Sequence, residues 1–302
     1  MASKANSLTA IYYALAANFA VFIAKAAAAL LTGSSVMLAE AVHSLADCSN
    51  QLLLLGGLKS AKRPATADFP LGFGRAINFW SFIVAQVLFT MGGMFALFQG
   101  VYKLSLTQPL QHAWLAISVL VFAVVAESIS MRACIKEVNK VRGGRSFWRW
   151  FKESRQSELI VIFGEDFAAL VGLAVALVAV GLTWFTGNPF YDAAGTLVVG
   201  ILLLTVAMFI AVEVKSLLIG QSADPHTIAG ISKYLEDSPE VDRVLNLITL
   251  QMGADVLVAV KCKMRSYAGA DFMIAAINRV EAGLRSAYPE VRFLFFEPDV
   301  II

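Results

Sequence analysis

Six stretches of this chain are each long and apolar enough to cross a bilayer, and no other feature narrows the possible folds so far. A hydrocarbon core needs about 20 apolar residues per helix. The stretches run over Leu8–Thr32, Ser35–Leu58, Ile77–Tyr102, Ala113–Arg132, Glu158–Phe185 and Tyr191–Leu218. Thr32-Gly33-Ser34 turns the chain between the first two, and Gly187-Asn188-Pro189 between the last two. With 58% hydrophobic and 15% charged residues, the 302-residue chain lacks the polar surface a soluble protein needs. The same composition excludes disorder.

Basic residues set the expected orientation. Lys59, Lys62, Arg63 and Arg75 follow the second stretch, and Lys136, Lys140, Arg142, Arg145, Arg149, Lys152 and Arg155 follow the fourth. The opposite turns hold almost none, Lys103 being the main exception. Both basic loops and both termini are therefore expected in the cytoplasm. The opening MASKANSLTA predicts no removable signal peptide, and the lack of an Arg/Ser-rich leader favours a bacterial inner membrane over an organelle.

After Leu218 the apolar runs end. Pro225–Asp237 predicts a helix, Val241–Gln251 a strand and Asp255–Met264 an alternating strand. In that second strand Val256, Val258, Val260 and Cys262 share one face. Gly269–Tyr288 predicts an amphipathic helix and Val291–Phe296 a last strand. The expected architecture is a six-helix transmembrane domain, residues 1–218, followed by a small ferredoxin-like α+β cytoplasmic domain, residues 219–302. The first part holds 16 Lys/Arg and 11 Asp/Glu, the second 8 and 11. A mildly acidic tail is not a nucleic-acid face. Cys48, Cys134 and Cys262 are odd in number and far apart, so they form no disulfide framework.

Ionisable groups at bilayer depth are costly and point to function. The second stretch carries Glu40, His43 and Asp47. His43 and Asp47 are four residues apart, stacked on one helical face, so an imidazole and a carboxylate reach one ion together. Both also change charge with protonation, so the pair can exchange protons for a cation. The fifth stretch carries adjacent Glu165 and Asp166 at matching depth. Neighbours on a helix point about 100° apart, so at most one aims squarely at a shared site. Lys25 and Glu127 read as packing or charge-balance partners. Glu40 either lines an ion path or snorkels to the interface, and His112 and His226 read as structural.

Leu31-Thr32-Gly33-Ser34-Ser35, Ala41-Val42-His43-Ser44-Leu45-Ala46-Asp47, Phe69-Pro70-Leu71-Gly72-Phe73-Gly74-Arg75, Ser216-Leu217-Leu218 and Phe296-Glu297-Pro298 together resemble the cation diffusion facilitators, the zinc-transporter family. The resemblance covers nearly the whole chain. It implies proton-coupled export of a divalent cation by a homodimer in the bilayer, with no permanently bound cofactor. Zinc is the first candidate, and manganese, iron, cobalt and nickel share its ligands. His43 and Asp47 match the family's second-helix pair. Asp166 matches the fifth-helix aspartate, but Ile162 stands where the usual histidine would be, so Glu165 or a water completes the set. This Glu-Asp variant resembles one branch of the family. Phe69 and Phe73 replace loop histidines, and Lys261 and Phe295 stand at metal-binding places of the C-terminal domain, which is therefore expected not to bind metal tightly. Two rival readings remain open to test. One is a transport-inactive scaffold or sensor of the same fold. The other is an intramembrane aspartyl protease using Asp47 and Asp166, in which His43 has no role.

Overall fold

The computed structural model describes residues 3–105 and 112–300. It opens with α1 (Ser3–Thr32) and α2 (Ser35–Ala61), antiparallel about the Gly33 turn. Next come α3 (Ala76–Val87), a π-helical segment (Leu88–Met94) and α4 (Phe95–Leu104), which run on as one rod. Then follow α5 (Ala113–Val141), α6 (Phe147–Glu153), α7 (Ser157–Thr186) and α8 (Phe190–Ile219). The C-terminal elements are α9 (Pro225–Glu236), β1 (Val241–Met252), β2 (Asp255–Met264), α10 (Ala270–Ala287) and β3 (Val291–Pro298).

The helices fall where the apolar runs predict. Among the described residues, four are long and apolar enough to cross a membrane: Ala76–Leu104, α5, α7 and α8. From α1, Asn18–Thr32 is a shorter apolar stretch. The 27 residues of α2 are long enough, but Glu40, His43, Ser44, Asp47, Ser49, Asn50 and Gln51 dilute its apolarity. Two differences from the sequence expectation lie on the basic side. α5 continues about two and a half turns past Arg132, because Cys134 and Val138 keep burying the same face. The basic loop then folds into the short α6, where Ser146 accepts from the Arg149 amide as N-cap and Trp150 is wholly buried.

The helical core gathers Met37, Val84, Leu88, Leu120, Ile160, Leu173 and Ile210. Along one seam the main chains nearly touch. A Cβ at Gly93, Gly100 or Gly200 would come within about 3 Å of the backbone nitrogen of Leu204, Leu197 or Leu97 respectively. Small residues thus let the π segment and α4 pack against α8, as apolar membrane helices do when dispersion replaces the hydrophobic effect.

A second core belongs to the C-terminal elements. β1 and β2 form an antiparallel hairpin through Gly253-Ala254, and β3 joins β2 in parallel, giving the order β1-β2-β3. Val256, Val258, Val260 and Cys262 point to one face, as their alternation predicts. There they pack with Ile231 and Leu235 of α9 and Val280 and Leu284 of α10. The sheet hairpin meets the loop before α3 at Gly74, where a Cβ would strike the Met252 carbonyl oxygen. Arg75 donates to the Leu218 carbonyl at the end of α8. Arg145 pairs with Asp224 at 2.6 Å, and Arg155 donates to the Ser222 carbonyl at 2.8 Å. These contacts tie the basic ends of the helices to the sheet.

Candidate metal centre

The polar face of α2 is held in place from its N-terminus. Ser34 accepts from the Met37 amide as N-cap. Buried Asp192, in the first turn of α8, accepts from the Ser34 hydroxyl at 2.5 Å and from the Ser35 amide and hydroxyl at 2.8 Å each. Four hydrogen bonds at this end are thus set by one carboxylate and its serine partners. From there the helical period brings His43, Asp47 and Asn50 to one face. His43 Nε2 lies 3.7 Å from Asp47 Oδ2, and the imidazole is buried. Both His43 ring nitrogens, Asp47 Oδ1 and Asn50 Oδ1 are buried without a hydrogen-bond partner among the described residues. Buried polar atoms are normally paired, so a cluster of unpaired ones calls for an explanation.

Opposite stands α7. Its two acids diverge, as their 100° offset requires. Glu165 turns to α2 and accepts from the Asn50 side-chain amide. Asp166 turns to α5 and accepts from the Ser130 hydroxyl, 3.2 Å from each oxygen. Asp47 lies within electrostatic reach of both. Glu127 of α5, also buried, lies within reach of Asp166 and of His43 and Asp47. The four residues singled out in the sequence therefore gather between α2, α5 and α7, but not as one closed cage. Among the described residues, no three His, Cys, Asp or Glu side chains are posed together to hold an ion. Sequence reasoning missed Asn50 and Ser130. Asn50, three residues after Asp47 and seven after His43, was within reach of the same periodicity argument; nothing in the sequence singles out Ser130.

Lys25 and Glu40 form a separate pair. Lys25 Nζ, fully buried in α1, lies 3.0 Å from Glu40 Oε2 and 2.9 Å from Ser44 Oγ. Lys25 is thus a charge-balance partner. Glu40 neither snorkels nor stands alone. His112 precedes α5 in a left-handed conformation, and His226 opens α9, its amide donating to Asp224 Oδ1. Neither joins the acids.

The positions that the resemblance singles out for peripheral metal carry other chemistry. Phe69 and Phe73 pack ring to ring at 4.6 Å, with the Arg63 guanidinium 4.6 Å over Phe73. Lys261 lies 2.8 Å from Asp299 Oδ2 and 3.3 Å from Glu297 Oε1. These two carboxylates, Asp299 foremost, hold the Lys261 ammonium above its usual pKa. Beside it, burial pushes the Cys262 thiol up to about 11.

Residues 11–219 match the cation efflux transmembrane domain. The chain is 33% identical over 260 residues to the proton-coupled zinc antiporter SLC30A9, mitochondrial, of Xenopus laevis, covering 85% of this chain and 45% of that protein. It is 33% identical over 239 residues to metal tolerance protein C4 of Arabidopsis thaliana, covering 78% and 52%. It is 21% identical over 278 residues to magnetosome protein MamB of a Magnetospira species, covering 91% and 87%. The chain spans about half the length of the first two. With the family domain spanning all the apolar helices, this integral membrane protein belongs to the cation efflux family, the cation diffusion facilitators.

Proposed function

We propose that the protein exports a divalent cation, zinc foremost, from the cytoplasm in exchange for protons. His43, Asp47, Glu165 and Asp166 bind the cation at mid-membrane. The observation that carries this reading is the set of unpartnered buried atoms on one face of α2, both His43 nitrogens, Asp47 Oδ1 and Asn50 Oδ1, with Asn50 bonded across to Glu165 of α7. Orphaned imidazole and carboxylate atoms are what a transient metal ligand looks like between passengers. Imidazole with carboxylates suits zinc, and manganese, iron, cobalt and nickel compete for the same donors. A metal ligand must shed its proton to bind, so loading the cation releases protons and reprotonation ejects it.

The divergence of Glu165 and Asp166 adds a device. A turn of α7 about its axis presents one acid to α2 and withdraws the other, so each can serve a different stage of the cycle. The likeness to SLC30A9, a proton-coupled zinc antiporter, supports the exchange. In this reading α1 to α5, α7 and α8 make six spans, with residues 1–218 in the bilayer and residues 219–302 in the cytoplasm with both termini. The working unit is a homodimer in a bacterial inner membrane.

The test is cation flux into proteoliposomes under an imposed pH gradient, screening zinc, manganese, iron, cobalt and nickel. Flux of one metal that needs the gradient and vanishes in Asp47→Ala, with insertion and dimerisation intact, is expected. Retained flux in Asp47→Ala overturns the site. No flux of any metal from folded protein favours the scaffold or sensor, and peptide cleavage without flux favours the protease.

A further inference from the structure

An apolar groove of about 360 Å³ runs between α7 and α8, roofed by α6, and nothing in the transport reading uses it. Trp148 and Phe151 of α6, Phe163 and Phe167 of α7 and Phe209 of α8 line it, with Gly164 on its floor. Trp148 meets Phe209 edge-on with ring centroids 6.1 Å apart, and stacks on Phe151 at 6.3 Å. Trp148, Phe167 and Phe209 are about half exposed. Phe163 and Phe167 lie about 9 and 15 Å along α7 from its basic end, at 1.5 Å per residue. The groove thus begins at headgroup depth and descends into the apolar layer.

Its mouth is cationic. Lys152 Nζ sits 4.8 Å above the Trp148 ring, on the same short helix whose rings form the roof. Arg149, 69% exposed, spends its Nε on Glu153 at 2.8 Å, and no hydrogen bond to its terminal nitrogens is present among the described residues. Arg142 lies 4.6 Å over Phe147 at the other end of α6. The segment from Lys136 to Arg155 holds seven basic residues against two acids, Glu137 and Glu153, and of the seven Arg145 is also paired with Asp224. An aromatic trough open to the bilayer and cations at its lip are complementary to one kind of molecule, an acyl chain carrying a negative headgroup.

We propose that this groove is a binding site for an anionic glycerophospholipid of the leaflet on the α6 side. One acyl chain lies along Phe163, Phe167 and Phe209, and the headgroup phosphate is held by Arg149 and Lys152. The occupant matters to the metal centre by position. Gly164 directly precedes Glu165, and α7 is so close to α8 there that a Cβ at Gly164 would lie 2.7 Å from Ile210 Cδ1. A chain in the groove braces the turn of α7 that carries both acids.

The full-length protein, reconstituted in phosphatidylcholine vesicles, distinguishes this site from ordinary lipid contact. Chain-brominated phosphatidylglycerol or chain-brominated phosphatidylcholine is added at matched mole fractions. Trp148 quenching is read as wild type minus Trp148→Phe. Two cations at the headgroup predict a preference of about thirtyfold for the brominated anionic lipid. The Arg149→Gln/Lys152→Gln variant is expected to lose the preference while keeping quenching by both lipids. Equal quenching from the outset, or no Trp148-dependent quenching, overturns the proposal. Native mass spectrometry of wild type after delipidation needs no variant. Retention of phosphatidylglycerol but not phosphatidylcholine on back-titration is expected, and equal retention overturns it.

Discussion

Two turns of α2 treat buried acid in opposite ways. Glu40 is given a permanent cation, Lys25, from the neighbouring helix. Two turns further on, Asp47 faces Glu165 and Asp166, which are given only the neutral donors Asn50 and Ser130. In a low-dielectric interior an acid with no counter-charge is expensive, and a lysine would relieve it. The fold has such a lysine within the same pair of helices and does not spend it there. Carboxylates left to neutral donors keep room for a cation that comes and goes. The C-terminal sheet repeats the first solution. Lys261 sits between Glu297 and Asp299, a tethered charge where a metal would otherwise be attracted.

Breaking the permanent pair should have the largest effect on the folded state. Lys25→Met strands the buried Glu40 and is expected to cost roughly 3–5 kcal/mol, read as early thermal unfolding in detergent. Lys25→Met/Glu40→Gln should recover most of that loss. A Lys25→Met protein as stable as wild type would mean that Glu40 finds relief elsewhere. Asn50→Ala probes the other side of the comparison. It removes the donor that steers Glu165 towards α2, and should weaken apparent zinc affinity in flux assays by about 10–100-fold while insertion is unchanged. An unaltered affinity would detach Glu165 from the site.

Lys261→His sharpens the contrast from the sheet side. Replacing the tethered ammonium by an imidazole between two carboxylates should create zinc binding that Asp47→Ala cannot abolish, measured by equilibrium dialysis of the double variant. The smallest effect concerns Cys262. Its thiol holds its proton more tightly in the folded state, at about 11, than in an unfolded chain, at about 8.5. The folded form is therefore favoured equally at every pH well below 8.5 and loses ground as pH rises beyond it. Wild type and Cys262→Ala should share one pH profile of stability up to pH 8 and diverge only above it.

α5, α7, α8 and the rod from Ala76 to Leu104 were legible because bilayer burial writes them as long apolar runs. β2 was legible because Val256, Val258, Val260 and Cys262 alternate. His43 and Asp47 were legible because one helix brings them together. What escaped the sequence lies between elements. Asn50 meets Glu165 across 115 residues, and Asp192 meets Ser35 across 157. No local spacing encodes such pairs. The direction of Glu165 against Asp166 could be framed as a choice, but the packing of α7 between α2 and α5 makes it. α6 is too short for a periodic signal, and its aromatic and basic residues read equally well as a loop.

The π segment at Leu88–Met94 has a mechanical consequence. A π turn is an α turn with one residue too many, and each residue turns a helix by about 100°. Deleting one residue there would heal the rod into continuous α-helix and swing Phe95–Leu104 around its axis. Gly100 would leave the α8 seam, and a bulkier neighbour would take its place. Gly92, whose Cβ position lies 3.8 Å from His43 Nδ1, sits inside this segment. The surplus residue works as a spacer washer. It is placed where the rod passes both α8 and the histidine, Leu203 Cδ1 lying 3.4 Å and His43 Nδ1 3.8 Å from the Cβ position of Gly92.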